Sequence, residues 1–216
     1  MKAKTTFHCQ SCGYQAPRAL GKCPGCGAWN SMKEERLAAT GKGRPPVLGG
    51  IASKVTPLDD IELVGEHRTG TGIGEFDRVL GGGVVPGSVI LIGGDPGIGK
   101  TTLLLQALPR LVSKDGPVLY VSGEESPRQI KMRSERIGLA HTNLLILAET
   151  SLGEILKQVQ THMPTAIVVD SIQTVYTDEL TSAPGTISQV QEVAGKLMFL
   201  AKRTGMPVFI IGHVTK

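Results

Sequence analysis

The feature that most constrains this chain is an apolar run that leads directly into a glycine-rich loop and then into an apolar helix. Val89–Ile92 comes first, the loop is Gly94-Asp95-Pro96-Gly97-Ile98-Gly99-Lys100-Thr101, and Leu103–Leu105 follows. The spacing Gly-x4-Gly-Lys-Thr between a strand and a helix is typical of a phosphate-binding loop. Its glycines let backbone N–H groups converge on phosphate oxygens, and the helix N-terminus adds a partial positive charge. We therefore expect the loop to bind the phosphates of a nucleoside triphosphate, ATP with Mg²⁺.

Each polar group of this loop has an expected role. Lys100 should neutralise the β- and γ-phosphates and so take part in catalysis, Thr101 should offer its hydroxyl to Mg²⁺, and Thr102 should reach the α-phosphate. The alternative is a glycine-rich turn with a chance lysine, which the flanking strand and helix disfavour. The residues expected to bind nucleotide are Gly93, Gly94, Asp95, Pro96, Gly97, Ile98, Gly99, Lys100, Thr101 and Thr102.

From about residue 66, short apolar runs alternate with stretches that suit helices. The predicted strands are Ser88–Gly93, Val118–Ser122, Leu144–Ala148, Ala166–Asp170 and Val208–Gly212. The predicted helices are Lys100–Ser113, Pro127–Ile137, Leu152–His162 and Ile187–Thr204. Continuously apolar strands that alternate with helices predict an α/β fold, in which helices flank both faces of a parallel sheet. Ligands of such sheets bind at the carboxyl ends of the strands.

Acidic residues follow two of these strands, where a nucleotide would bind. Asp170 ends one strand and is expected to support the Mg²⁺ ion, although such an aspartate is also common as a turn or helix cap. Glu124 and Glu125 follow another strand, and we expect one of them to act as general base on water, with Glu124 preferred over Glu125. The alternative is an acidic first turn of a helix. His213 ends the last strand and is expected either to sense the γ-phosphate or to serve as a packing residue.

All four cysteines lie between residues 9 and 26. Cys9-x2-Cys12 and Cys23-x2-Cys26 have the spacing of a zinc ribbon, in which four thiolates surround one structural Zn²⁺. A redox dithiol is the alternative, and it lacks the expected surrounding pattern. With four sulfurs available, His8 is not expected to be a ligand. Basic residues of this module, such as Arg18 and Lys22, would either contact nucleic acid or keep the module soluble.

The remaining sequence suggests how the domains are arranged. Residues 1–30 are expected to form the ribbon, 31–65 a linker that starts with a short charged helix around Lys33–Arg36, and 66–216 the α/β domain. An apolar fraction of 40% and a net charge of +4 indicate a globular protein for which a polyanionic partner is permitted but not required. No apolar run is long enough to cross a membrane, and the N-terminus has no apolar signal core, so we expect a cytoplasmic protein.

Three segments together carry a family resemblance. Thr69–Gly83, the loop Gly94–Thr102 and Tyr120–Ser126 resemble the RecA/KaiC/DnaB class of ATPase cores, and the four-cysteine ribbon narrows the resemblance to the RadA (Sms) family of bacterial DNA repair proteins. The resemblance implies a DNA-dependent ATPase, a helicase-like translocase that processes branched recombination intermediates together with a RecA-type recombinase. It also implies hexameric rings on single-stranded DNA, with Thr177–Thr186 either as a DNA-facing loop or as an ordinary surface loop.

One departure from the family limits what the resemblance implies. Family members continue past the strand Val208–Gly212 with a basic motif and a protease-like domain, whereas this sequence ends at Lys216. By analogy the strands should lie in the order third, second, fourth, fifth, first, with the strand before the phosphate loop at an exposed edge. We therefore expect a truncated core. The alternative functions are a regulatory ATPase module of KaiC type and a nucleotide-binding fragment without efficient turnover.

Overall fold

The computed structural model describes residues 5–36, 57–60, 67–111, 116–139 and 143–213. A small antiparallel sheet forms the N-terminal module, with β1 (Thr5–Cys9) between β2 (Gln15–Ala16) and β3 (Met32–Arg36). Cys9 ends β1, and the other three cysteines lie in the connections between these strands. This arrangement is the four-cysteine ribbon that the sequence predicted.

The charged stretch around Lys33–Arg36 is a strand, so the prediction of a short helix there was wrong. Its residues pair one to one with β1, from Met32 opposite Cys9 to Arg36 opposite Thr5. A short run of charged residues has no apolar face that packing could use to hold a helix, whereas a strand is held by backbone hydrogen bonds to its neighbour. Strand β3 lies beyond residue 30, and the division of the chain at residues 30 and 65 stays a prediction.

The second unit is a five-stranded parallel sheet. Its spatial order is β4, β8, β7, β5, β6, which is first, fifth, fourth, second and third along the chain. This is the predicted order, read from the opposite edge. The strands are β4 (Val89–Gly94), β5 (Val118–Ser122), β6 (Leu144–Ala148), β7 (Ala166–Asp170) and β8 (Val208–His213).

Helices cover both faces of this sheet. They are α1 (Gly74–Val79), α2 (Lys100–Leu111), α3 (Pro127–Arg136), α4 (Leu152–His162) and α5 (Ile187–Thr204). One apolar cluster joins α4 and α5 to strand residues such as Ile167 and Val169, and a second joins α2 and α3 to residues such as Val168. Successive side chains of a strand point to opposite faces, so each inner strand contributes to both clusters. The predicted α/β architecture is confirmed.

Strand β4 forms one edge of the sheet. It pairs only with β8 among the described strands, and its Leu91 side chain is 68% exposed. The strands between the two edges are almost entirely buried. The phosphate loop therefore follows the edge strand, as expected.

Most of the predicted linker lies outside the described residues. The described part is a single 3₁₀ turn at Leu58–Asp60. Among the described helices, none is both long and apolar enough to cross a membrane.

Candidate nucleotide and metal sites

The phosphate loop has an open conformation that only glycine adopts readily. It joins β4 to α2, and within it Gly97 and Gly99 have φ values of +80° and +102°. A Cβ atom added at either position would have no atom within 4 Å, so the space beside the loop is free for an anion. The first helical N–H groups have no acceptor within their own helix, and those of α2 point toward this space. The loop thus fits a polyphosphate.

Lys100 lies at the mouth of this loop. Only 7% of its surface is exposed, and its Nζ donates hydrogen bonds to the carbonyl oxygens of Gly94 (2.7 Å) and Asp95 (2.8 Å). The same Nζ lies 3.3 Å from Nδ1 of His213. The ammonium is therefore held beside the loop backbone, where it can exchange carbonyl oxygens for phosphate oxygens.

Thr101 and Asp170 meet as a magnesium site requires. The Thr101 hydroxyl donates to Oδ2 of Asp170 at 2.7 Å, although 69 residues separate the two in sequence. A hydroxyl and a carboxylate beside the phosphate loop are the protein ligands that Mg²⁺ uses in ATPases of this kind. These two residues would hold the ion, which would neutralise charge on the β- and γ-phosphates.

Glu124 and His213 form a polar chain that begins at Lys100. The Glu124 Oε1 atom accepts a hydrogen bond from the Ser171 hydroxyl at 2.7 Å and lies 3.4 Å from Nε2 of His213. Because an ammonium can only donate, Nδ1 of His213 accepts from Lys100. The proton of the neutral imidazole is then on Nε2, facing Glu124. The structure thus brings Lys100, His213 and Glu124 together at the carboxyl end of the sheet.

Glu125 has a different environment. Its Oε1 atom accepts a short hydrogen bond from Arg133 of α3, in an ion pair whose side chains are 27% and 29% exposed. Its backbone N–H donates to the Ser122 hydroxyl at 2.9 Å. Of the two predicted glutamates, Glu124 contacts the residues of the phosphate site and Glu125 ties the turn to α3.

The four cysteines form a tetrad. Their Sγ atoms all lie within 4.8 Å of one another, and the pairs Cys9–Cys26 and Cys12–Cys23 are 3.6 and 3.5 Å apart. Tetrahedral zinc with Zn–S bonds of about 2.3 Å places sulfurs about 3.8 Å apart, close to these distances. The Cys9 Sγ atom also lies 3.2 Å from the Ser31 hydroxyl oxygen. The site fits Zn²⁺, whose ligands are thiolates.

Comparison with known proteins agrees with both sites. The KaiC family model of ATPases matches residues 69–150, and the rubredoxin metal binding domain model matches residues 7–34. DNA repair protein RadA of Bacillus subtilis is 51% identical over all of this chain and 48% of its own length. RadA of Halalkalibacterium halodurans is 50% identical, again over 48% of its length, and RadA of Streptococcus pyogenes serotype M1 is 51% identical over 47%. Over its whole length the chain is thus similar to the N-terminal part of the RadA proteins.

The match has a limited span. The chain covers about half the length of the RadA relatives, whose name describes them as DNA repair proteins. The KaiC model describes ATPases, and it matches the part of the chain that contains the phosphate loop. The predicted resemblance to RadA and to RecA-like ATPases is confirmed over this part.

The candidate magnesium site also contains a buried tyrosine that the sequence motifs do not include. Tyr120 of β5 is fully buried, and its hydroxyl donates a short hydrogen bond to Oδ2 of Asp170. Burial and the negative charge of Asp170 raise the pKa of Tyr120 well above its usual value. Tyr120 is therefore a permanent donor that fixes the Asp170 carboxylate. A tyrosine between the apolar residues Leu119 and Val121 of β5 was the sequence signal for it.

The turn that carries Glu124 is locked to the turn after Asp170. The Gly123 N–H donates to the Asp170 carbonyl at 2.9 Å, and the Thr174 hydroxyl donates to the Ser171 carbonyl at 2.7 Å. A Cβ atom at Gly123 would lie 2.0 Å from Oγ1 and 2.6 Å from Cβ of Thr174. Only glycine allows this approach, and nothing local in the sequence indicates it.

Proposed function

We propose that this chain is the ATP-hydrolysing part of a DNA-dependent ATPase of recombinational DNA repair. The proposal depends on two sets of contacts at the phosphate loop. Thr101 donates a hydrogen bond to Asp170. Lys100 contacts His213, which in turn contacts Glu124. Positioned charges and donors around a triphosphate are what phosphoryl transfer to water requires. The name of the RadA relatives supports the place of this chemistry in DNA repair.

The catalytic roles follow from the contacts. The loop amides and Lys100 would bind the phosphates, while Thr101 and Asp170 would hold a Mg²⁺ ion that neutralises phosphate charge. Glu124 lies next to this space with 48% of its side chain exposed, so it can orient a water molecule and accept its proton. His213 contacts both Lys100 and Glu124. A γ-phosphate that attracts Lys100 would release Nδ1 of His213, which gives this residue the expected sensing role.

The finer parts of the proposal concern DNA and assembly. We expect the full-length protein to form a homo-hexamer in the cytoplasm that moves along single-stranded or branched DNA, in cooperation with a RecA-type recombinase. The segment Thr177–Thr186 would face the DNA. It is held in a defined shape, because the buried amide of Gln189 donates to the carbonyl oxygens of Thr177 and Ser182. Its acidic Glu179 is paired with Lys196 at 2.5 Å.

The test is the rate of ATP hydrolysis with and without single-stranded DNA. It is measured on this chain and on a version extended to the length of the RadA relatives. Stimulation by DNA in the extended protein supports the proposal. If the extended protein is hexameric but hydrolyses ATP at the same rate with and without single-stranded or branched DNA, the proposed dependence on DNA is wrong.

A second candidate is a regulatory ATPase module of KaiC type, in which nucleotide state controls protein assembly. The KaiC match over residues 69–150 favours it. Light scattering with ATP and with ADP separates the two. A change of oligomeric state with nucleotide, together with hydrolysis that DNA does not affect, is expected only for the regulatory module. A third outcome, tight ATP binding with negligible hydrolysis under all conditions, would identify a nucleotide-binding fragment.

A further inference from the structure

The net positive charge of the chain comes from one end of the sequence. Residues 1–36 contain six Lys and Arg against two Glu, and the remaining residues contain 17 of each sign. The whole excess of +4 therefore belongs to the ribbon module. Four thiolates around one Zn²⁺ contribute a charge of −2. The loaded module is still positive, while the ATPase core is neutral overall.

The same module exposes the chain's single tryptophan. Trp29 is 71% exposed, although burial of such a ring is strongly favourable. Lys22 pairs with Trp29 in an isolated β-bridge, and its Nζ lies 5.5 Å from the centroid of the indole ring. The Lys22 side chain also lies beside the turn that carries Cys23 and Cys26, since a Cβ atom at Gly27 would lie 3.7 Å from the Lys22 Cε atom. Trp29 and Lys22 thus form an aromatic and cationic surface, here called the Trp29–Lys22 face, held by the metal site.

The ribbon is also placed beside the segment that would face DNA. The turn that carries Cys12 and Gly13 packs on the start of α5. A Cβ atom at Gly13 would lie 2.9 Å from Cγ2 of Ile187 and 3.2 Å from Nε2 of Gln191. Ile187 directly follows the segment Thr177–Thr186. A nucleic-acid strand bound along that segment would therefore lie close to the ribbon.

We propose that the Trp29–Lys22 face binds single-stranded nucleic acid. A nucleobase stacks on the exposed indole ring, and the Lys22 ammonium pairs with an adjacent backbone phosphate. Single-strand binding surfaces combine these two features, because every base has a stacking face and every nucleotide carries a negative charge. Excess positive charge favours this ligand over a protein surface. The inference rests on the proposed function and extends it by giving the ribbon a direct role in holding the strand.

The single tryptophan gives a direct measurement. The intact chain is titrated with an oligodeoxythymidylate of about 20 nucleotides, which exceeds the usual site sizes. Binding is followed both by tryptophan emission and by the anisotropy of a labelled oligonucleotide. We expect the emission to be quenched with the same midpoint as the anisotropy change. Trp29→Ala should weaken binding at least fivefold, with Trp29→Phe intermediate, while Met132→Ala, which removes an exposed apolar side chain of α3, should change nothing.

Lys22 is tested through salt dependence. Lys22→Ala should reduce the slope of log affinity against log salt by about 0.7, the value for one phosphate contact on a single strand. Lys131→Ala, which removes the same charge from the surface of α3, should leave the slope unchanged. Zinc content is measured for each variant. If Trp29→Ala loses zinc, the Trp29→Phe variant and the emission titration of the unsubstituted chain decide the question.

The outcomes separate this inference from the proposed function. The inference alone is wrong if the oligonucleotide binds without changing tryptophan emission and binds the Trp29→Ala variant with unchanged affinity. The Trp29–Lys22 face would then be a candidate surface for a protein partner. A chain that does not bind the oligonucleotide at all overturns the inference together with direct DNA binding by this part of the protein.

Discussion

Replacing Gly123 with alanine should disrupt the candidate site without touching a reacting group. Protein atoms essentially never approach a Cβ within 3.0 Å, and the new Cβ would lie 2.0 Å from Oγ1 and 2.6 Å from Cβ of Thr174. Rotation of the Thr174 side chain moves Oγ1 but not Cβ, so the backbone has to move by at least 0.4 Å, from 2.6 to 3.0 Å. That rotation also breaks the hydrogen bond from Thr174 to the Ser171 carbonyl.

The expected magnitude follows from these two effects. Overpacking costs about 1–3 kcal/mol and the lost hydrogen bond about 1 kcal/mol, so the free energy of unfolding should fall by about 2–4 kcal/mol. The turn that moves carries Glu124. Displacements approaching 1 Å at a catalytic group cost up to about 100-fold in rate, so we expect ATP hydrolysis to slow by about 10- to 100-fold.

The assay is urea unfolding together with the hydrolysis rate at saturating ATP. Gly195→Ala is the matched control, because this glycine lies inside α5 with no atom within 4 Å of an added Cβ. It should stabilise the protein by about 0.5–1 kcal/mol. Thr174→Gly removes both clashing atoms and should restore part of the loss in the double variant. A Gly123→Ala protein as stable and as active as the parent would refute the close approach of the two turns.

Four further predictions test the remaining groups. Lys100→Ala should abolish ATP binding in calorimetry, because its ammonium is the cation closest to the loop carbonyls; unchanged affinity contradicts the site. Glu124→Gln should keep ATP affinity but slow hydrolysis at least tenfold, about 1.4 kcal/mol of barrier, whereas an equal loss of both would assign Glu124 a structural role. Tyr120→Phe should weaken Mg²⁺-dependent ATP binding and lower the free energy of unfolding by about 1–3 kcal/mol, since Asp170 loses a buried donor; an unchanged Mg²⁺ titration speaks against this. Metal analysis should find one zinc per chain, and its removal should unfold the ribbon, because zinc supplies on the order of 10 kcal/mol to modules of this size; a ribbon that keeps its circular dichroism after chelation contradicts that.

The parts of this structure that the sequence predicted are those set by local pattern. The apolar runs that became β5 and β7 are short and continuous, which a strand buried on both faces requires, and their bounds agree with the structure. The phosphate loop was recognisable because its glycines and Lys100 act within one turn. Each of these signals lies within about ten residues of sequence.

The parts that the sequence did not predict depend on distant partners. Strand β3 was expected to be helical because its register with β1, more than 20 residues away, cannot be read from a charged run. The role of Tyr120 depends on Asp170, 50 residues further along the chain. Gly123 is required only because Thr174 approaches it. The residue types at these positions are explained by contacts between segments that only the order of the strands brings together.

The position of Lys100 bears on how nucleotide binding is coupled to the rest of the site. Its ammonium already has hydrogen-bond acceptors at Gly94 and Asp95 and a contact to His213, so a triphosphate has to replace existing partners and does not merely fill a space. Net stabilisation from such an exchange is smaller than the direct attraction, because the lost contacts offset part of it. The exchange also frees His213, which contacts Glu124. Binding of the γ-phosphate at one end of this chain of contacts would therefore alter the environment of the proposed general base at the other.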